Sequence, residues 1–184
     1  MAPAAPLVED DPAFRSWLRR VAVLLGEEWN PDPGHRPALP AGTAAFLAEV
    51  FTRNGAVPDD HLVALLAEHR KEVALAVVGA LLDQVRRDTG QVLRVPVTYD
   101  PPEEWGDPLG RLAVGDEAVW GIHPADLAVG AAEGVQCLLA DRDRVLWPVC
   151  PDHRVVPHPA RDPSGAPAWV CSVTQHVVGS IPRV

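Results

Sequence analysis

The sequence predicts an α+β fold: an N-terminal helical segment, then a β-rich half that ends in a double cysteine–histidine knuckle. Three observations carry that expectation. Apolar residues recur every three or four positions as far as Gly90. Beyond Gly90 the apolar runs are short and separated by Gly, Pro and Asp. Near the C-terminus two Cys/His pairs, Cys150 with His153 and Cys171 with His176, each stand among apolar residues. On this division residues 1–90 form the helical segment, 91–144 an acidic β-rich segment and 145–184 the knuckle module.

The helical segment begins at Asp11-Pro12, an N-cap with proline at the first helical position. Phe14, Trp17, Leu18, Val21, Leu24 and Leu25 follow at helical spacing. Pro31, Pro33, Pro37 and Pro40 cannot continue a helix, so residues 30–41 are expected as a loop. Thr43 is expected to cap a second helix carrying Phe46, Leu47, Val50 and Phe51, which Asn54-Gly55 stops. Asp59 or Asp60 caps a third, whose stripe runs through Leu62, Leu65, Leu66, His69, Val73, Ala76, Val77, Ala80 and Leu81. The width of that stripe marks a central helix, with a break expected near Arg70-Lys71 and an end at Thr89-Gly90. Glu68, Arg70 and Glu72 read as its solvated face, with His69 at the core edge.

Residues 92–99 are β-prone, and Pro96 places that strand at an edge or marks its end. Pro101-Pro102 opens an irregular acidic stretch through Pro108. Leu112 to Val114 and Ala118 to Ile122 read as two strands around Gly115-Asp116. His123 to Leu127 reads as the start of a short helix, and Val135 to Leu139 with Val145 to Val149 as a hairpin. Four prolines with Ser164-Gly165 mark residues 157–168 as an exposed turn.

Composition limits the function. With 47% apolar and 22% charged residues in 184, the chain can bury a core. Its net charge of -9 argues against a nucleic-acid coat or an anionic membrane surface as partner. The acidity lies in the first two segments, at -4 and -6, while residues 145–184 carry +1. One Lys against 15 Arg, with abundant Ala, Val and Pro, reads as the codon bias of a GC-rich bacterial genome and says nothing about mechanism. The start, MAPAAPLVEDD, lacks a basic segment followed by an apolar run, so no secretory signal is expected. The longest apolar stretch, Val73 to Leu82, is too short for a bilayer span of roughly 20 residues. A cytoplasmic location is expected, with Cys137, Cys150 and Cys171 reduced.

The chemically specific pattern is Cys150-x2-His153, seventeen residues, then Cys171-x4-His176. Zn²⁺ favours tetrahedral coordination by thiolate and imidazole, and two ligands on one tight turn supply half a tetrahedron. The halves look alike: Trp147 and Val149 precede Cys150 as Trp169 and Val170 precede Cys171, and a Val-Val pair follows His176 directly and lies one residue beyond His153. That reads as strand, knuckle, strand, used twice. Four protein ligands leave no place for an activated water, so one Zn²⁺ here is expected to be structural. Unmetallated core or surface residues and a Cys150–Cys171 disulfide are the competing readings. His158 is a substitute ligand between two prolines, and Cys137 reads as a small core residue.

Residues 145–184 resemble the zinc-ribbon class of modules, in which two knuckles at the ends of β-hairpins pinch one metal. The commoner forms use four cysteines or C-x2-C, whereas both knuckles here use Cys followed by His. The chain as a whole resembles proteins of high-GC bacteria that end in such a cysteine–histidine tail, a resemblance that implies no activity.

Other constellations are less specific. Glu68, His69 and Glu72, with His61 two turns earlier, lack the Glu-x-x-His pairs of a carboxylate-bridged metal site. Asp100, Glu103 and Glu104 beside Trp105 read as an exposed acidic loop rather than a facing acid and base. His123 with Asp126 or Cys137 carries no nucleophile motif, and no phosphate-binding or dinucleotide glycine motif occurs. A helix-turn-helix around Gly55 would need basic side chains where Asp59-Asp60 and apolar residues stand. The leading expectation is a non-enzymatic zinc-binding protein that serves as a protein-interaction or adaptor module. Trp105, Trp120 or the Trp147/Trp169 end is its candidate contact surface. The alternatives are an enzyme with its site between Asp100 and Asp126, or a transcription-associated DNA-binding protein.

Overall fold

A computed structural model describes residues 11–25, 41–103 and 107–182. The proline-rich stretch 30–40, Glu104 and Trp105 lie outside the described residues. The fold is α+β, with helices mostly N-terminal and two small antiparallel sheets in the C-terminal half. The chain divides into two compact units, Met1–Leu66 and Ala67–Val184.

In the first unit α1 (Pro12–Leu24) starts as its sequence requires: Asp11 Oδ1 accepts from Ala13 N–H at 2.8 Å, and Pro12 fills the first position. Phe14, Trp17 and Phe51 form an aromatic cluster with centroids 5.2–6.1 Å apart, a favoured spacing for tilted and edge-on rings. Trp17 Nε1 donates to Val57 O at 3.0 Å, so the indole is buried with its one polar atom satisfied. Phe51 lies on α2 (Ala41–Asn54), which begins ahead of Thr43. Thr43 is thus a buried residue inside that helix, not its cap.

The third helix, α3 (Asp59–Thr89), is continuous over 31 residues, without the break expected at Arg70-Lys71. Its buried line is Leu62, Leu66, Arg70, Ala74, Val77, Leu81 and Val85, while Leu65 and Ala76 face outward. Arg70 is therefore the reverse of a solvated residue. It occupies a core position and donates to Leu109 O, Gly110 O and Val119 O at 3.3, 3.0 and 2.7 Å, and to Asp107 Oδ2 at 3.2 Å.

Strands β1 (Val97–Asp100), β2 (Arg111–Val114) and β3 (Glu117–Val119) form one antiparallel meander. The first starts directly after Pro96, and the second and third turn at Gly115-Asp116. The expected hairpin of residues 135–149 is absent. Val135 to Leu139 belong to α4 (Pro124–Asp141), capped by His123 Nδ1 accepting from Ala125 N–H at 3.1 Å. Val145 to Val149 form no strand. Leu127, Ala131, Val135 and Leu139 stand four apart and are fully buried, so the helical period prevails over the local apolar run. Gly134 lets α4 meet β2 backbone to backbone: a Cβ there would lie 2.3 Å from Val114 O.

Strands β4 (His158–Arg161), β5 (Pro167–Val170) and β6 (Val177–Ser180) form the second antiparallel sheet, with β5 central. Asp162 Oδ1 closes the β4–β5 turn by accepting from Ser164 N–H and Ala166 N–H. One buried cluster unites α3, α4 and β2–β3 with Trp147, Trp169 and Ile181. The two indoles meet edge to face at 5.7 Å, and Trp147 Nε1 donates to Asp88 Oδ2 at 2.9 Å.

Candidate metal centre

The register of the second sheet explains how the four predicted ligands meet. His158, the first residue of β4, pairs with Val170, the last of β5. The segment leading into β4 and the turn leaving β5 therefore lie at the same end of the sheet. Cys150 and His153 stand on the first, Cys171 and His176 on the second. Gln136 of α4 holds the lead-in segment by donating to Pro157 O at 2.8 Å.

The two turns share one backbone. Cys150 N–H donates to Val155 O and Cys171 N–H to His176 O, both at 2.9 Å. Arg154 N–H donates to Cys150 O and Gln175 N–H to Cys171 O, again both at 2.9 Å. Arg154 and Gln175, each four residues after its cysteine, have positive φ of 56° and 59°. The backbone thus matches His153 with Thr174 and Val155 with His176. The apparent correspondence of the two histidines in sequence is offset by two residues.

Sγ of Cys150 lies 3.6 Å from His153 Nδ1 and 3.6 Å from His176 Nε2, and Sγ of Cys171 lies 3.4 Å from His153 Nδ1. All four donor atoms lie within 4.8 Å of one another. A tetrahedron with metal–ligand bonds of about 2.0–2.3 Å has edges of about 3.3–3.8 Å. The sulfur–nitrogen separations match those edges, so the four side chains are positioned to bind a metal ion. Both cysteines are fully buried, whereas the histidines reach towards solvent. His176 Nδ1 lies 2.6 Å from Thr174 Oγ1, and Asp152 Oδ2 lies 3.6 Å from His176 Nε2.

Electrostatics prepare one sulfur for a cation. Burial pushes the Cys171 thiol up, but the N–H groups of Val173 and Thr174 and the side chains of Cys150 and His153 outweigh it. The net effect brings the thiol down to about 7. Thiolate is the ligating form, so the turn itself favours the state a metal requires.

The other sequence candidates do not converge in this way. His158 opens β4 exposed to solvent, outside the four-residue cluster. Cys137 is half-buried on α4, where burial and then Glu117, Glu133 and Asp141 push its thiol up. It lies fourteen residues along that helix from the His123 cap, a rise of about 21 Å, so the two form no catalytic pair. His123 and Asp126 instead hold Arg161 of β4, at 3.0 Å from His123 Nδ1 and 2.7 Å from Asp126 Oδ1. Burial and then Arg161 hold the His123 imidazole below its ordinary value, against Asp126. His69 is half-buried, and its imidazole is also held low by burial, against a backbone contact with Ile122 and the charge of Glu72. Asp100 and Glu103 are exposed. Of the aromatic surface candidates, Trp147 and Trp169 are core residues and Trp120 is exposed.

Sequence reasoning missed Arg70 as a structural anchor. Its signal was its place four residues after Leu66 and four before Ala74, in line with the apolar stripe. Among the described residues no helix is long and apolar enough to cross a membrane. The chain matches no family model, no curated protein and no solved structure, so its function is to be read from these four side chains and their surroundings.

Proposed function

We propose that the protein binds one Zn²⁺ through Cys150, His153, Cys171 and His176, as a structural staple in a zinc-ribbon-like module, and acts without catalysis as a protein-interaction or adaptor module. The observation that carries the metal reading is the set of sulfur–nitrogen separations at the edge length of a zinc tetrahedron. Two thiolates and two imidazoles select zinc among common divalent ions, and the filled tetrahedron leaves no coordination position for substrate. Two matching turns at one end of a three-stranded sheet support the ribbon comparison. The sheet's three four-residue strands lean on the core through Trp169 and Ile181, and metal binding would add folding energy at the ligand end.

Val149, Val173 and Val177 stand exposed beside the ligands, and apolar side chains in that setting suit a protein partner. The net charge of -9 disfavours nucleic acid, and the reduced thiols this centre needs fit a cytoplasmic location. Elemental analysis of protein expressed in zinc-replete medium tests the metal assignment. One zinc per chain, lost in Cys171→Ser, is the expected result. A wild-type chain without metal overturns it.

A further inference from the structure

The two knuckles place their histidines differently on the same backbone turn. In the first, the residue three after the cysteine is His153, and its near nitrogen, Nδ1, faces both sulfurs at 3.6 and 3.4 Å. In the second, that position is Thr174, and the histidine comes two residues later. His176 therefore reaches back with its far nitrogen, Nε2, which faces Cys150 Sγ at 3.6 Å. Its Nδ1 points the other way, onto Thr174 Oγ1 at 2.6 Å.

We propose that Thr174 is a positioning residue for the metal centre: its hydroxyl accepts from His176 Nδ1–H and so holds the ring with the Nε2 lone pair aimed at the ion. The proposal rests on the reading of these four residues as a zinc site. A neutral imidazole carries one ring proton, and the nitrogen without it is the one that can ligate. Were Thr174 Oγ1 to donate to an unprotonated Nδ1, the proton would sit on Nε2 and face Cys150 instead of a metal. A metal-bound His176 therefore requires the opposite sense, with Nδ1–H as donor. A fixed outer partner of this kind selects the tautomer and limits ring rotation. The structure thus assigns opposite tautomers to the two histidines: Nδ1 ligation at His153 and Nε2 ligation at His176.

Zinc affinity, measured by competition with a chromophoric chelator, and two-bond ¹H–¹⁵N NMR of the zinc-loaded protein test this together. Thr174→Val keeps the shape without the hydroxyl, and its affinity should fall about 10- to 100-fold. Thr174→Ser restores the hydroxyl and should restore wild-type affinity, a rescue that a purely space-filling role would not give. The NMR spectrum should show the ring proton on Nδ1 of His176 and on Nε2 of His153. Unchanged affinity in Thr174→Val, or a ring proton on Nε2 of His176, overturns the assignment while leaving the zinc site intact. A wild type that takes up no zinc overturns the metal reading itself, and this assignment with it. The spectrum of the wild-type protein decides the tautomer even if a variant fails to fold.

Discussion

Replacing Arg70 with Met tests whether the buried guanidinium holds the second unit together. Only 1% of the side chain is exposed, and its partner Asp107 is 15% exposed. Met keeps much of the volume but removes every donor. Four acceptors lose their partner at once: the Asp107 carboxylate and the carbonyls of Leu109, Gly110 and Val119. Breaking one side of a buried ion pair costs about 3–5 kcal/mol, because the remaining charge stays desolvated. A loss of about 4 kcal/mol lowers the folding equilibrium roughly a thousandfold, out of a total of about 5–15 kcal/mol for a whole domain. The assay is guanidinium-induced unfolding followed by tryptophan fluorescence, since Trp147 and Trp169 report on the same core. Arg70→Met with Asp107→Asn should regain part of the loss by removing the stranded charge. It should not return to wild type, because the three carbonyls cannot be mutated away. A loss below about 1 kcal/mol in Arg70→Met, the range of an exposed ion pair, would refute the argument that this arginine works from inside.

Two glycines on helices should respond with opposite signs. Gly134→Ala drives a Cβ to 2.3 Å from Val114 O and 2.8 Å from Val114 Cβ, atoms of a neighbouring strand that cannot swing aside; thermal unfolding should show a loss of about 1–3 kcal/mol. At Gly79 on α3 a Cβ meets nothing within 4 Å among the described residues, so Gly79→Ala should gain about 0.5–1 kcal/mol from helix propensity; equal effects at both sites would contradict the packing. In metal-free protein the ultraviolet thiolate absorbance lost on Cys171→Ser should titrate near pH 7, against about 8.5 for an ordinary cysteine. Because the folded thiol ionises more readily than the unfolded one, its contribution to stability is present above about pH 8.5 and is lost as the pH falls through about 7; a midpoint at or above the ordinary value would refute the role of the Val173 and Thr174 N–H groups.

The convergence of Cys150, His153, Cys171 and His176 was legible because its information is local. Residue type and short spacing name the ligands, and the turn needs only the few residues between them. The β2–β3 turn was legible for the same reason, since Gly115-Asp116 acts on its immediate neighbours; β1 begins only after Pro96 instead of spanning 92–99, and the turn expected over 157–168 narrows to 162–166 between β4 and β5. Long-range packing is where local reading failed. Val135 to Leu139 is a short apolar run that suits a strand as well as a buried helix. Gly130 and Gly134 let the helix lie close to the neighbouring strands, with Val119 and Val114 at the places a Cβ would fill. Arg70 was misread on charge. Its burial depends on acceptors 37 to 49 residues away, which no window around α3 contains. The offset between the two knuckles was hidden as well: aligning Cys and His by name pairs the histidines, while the backbone pairs His153 with Thr174.

The two turns are alike in how they are anchored. Each turn is tied to the larger core just ahead of its cysteine, since Trp147 precedes Cys150 by three residues and Trp169 precedes Cys171 by two, and both indoles lie in the cluster with α3 and α4. Gln136 adds a polar tie from α4 to Pro157 O, just past the first turn. The cysteines are therefore buried and held from within, whereas the histidines reach outward, and His176 has its ring against the Thr174 hydroxyl. The histidine side of the cluster is also where Val173 and Val177 are exposed.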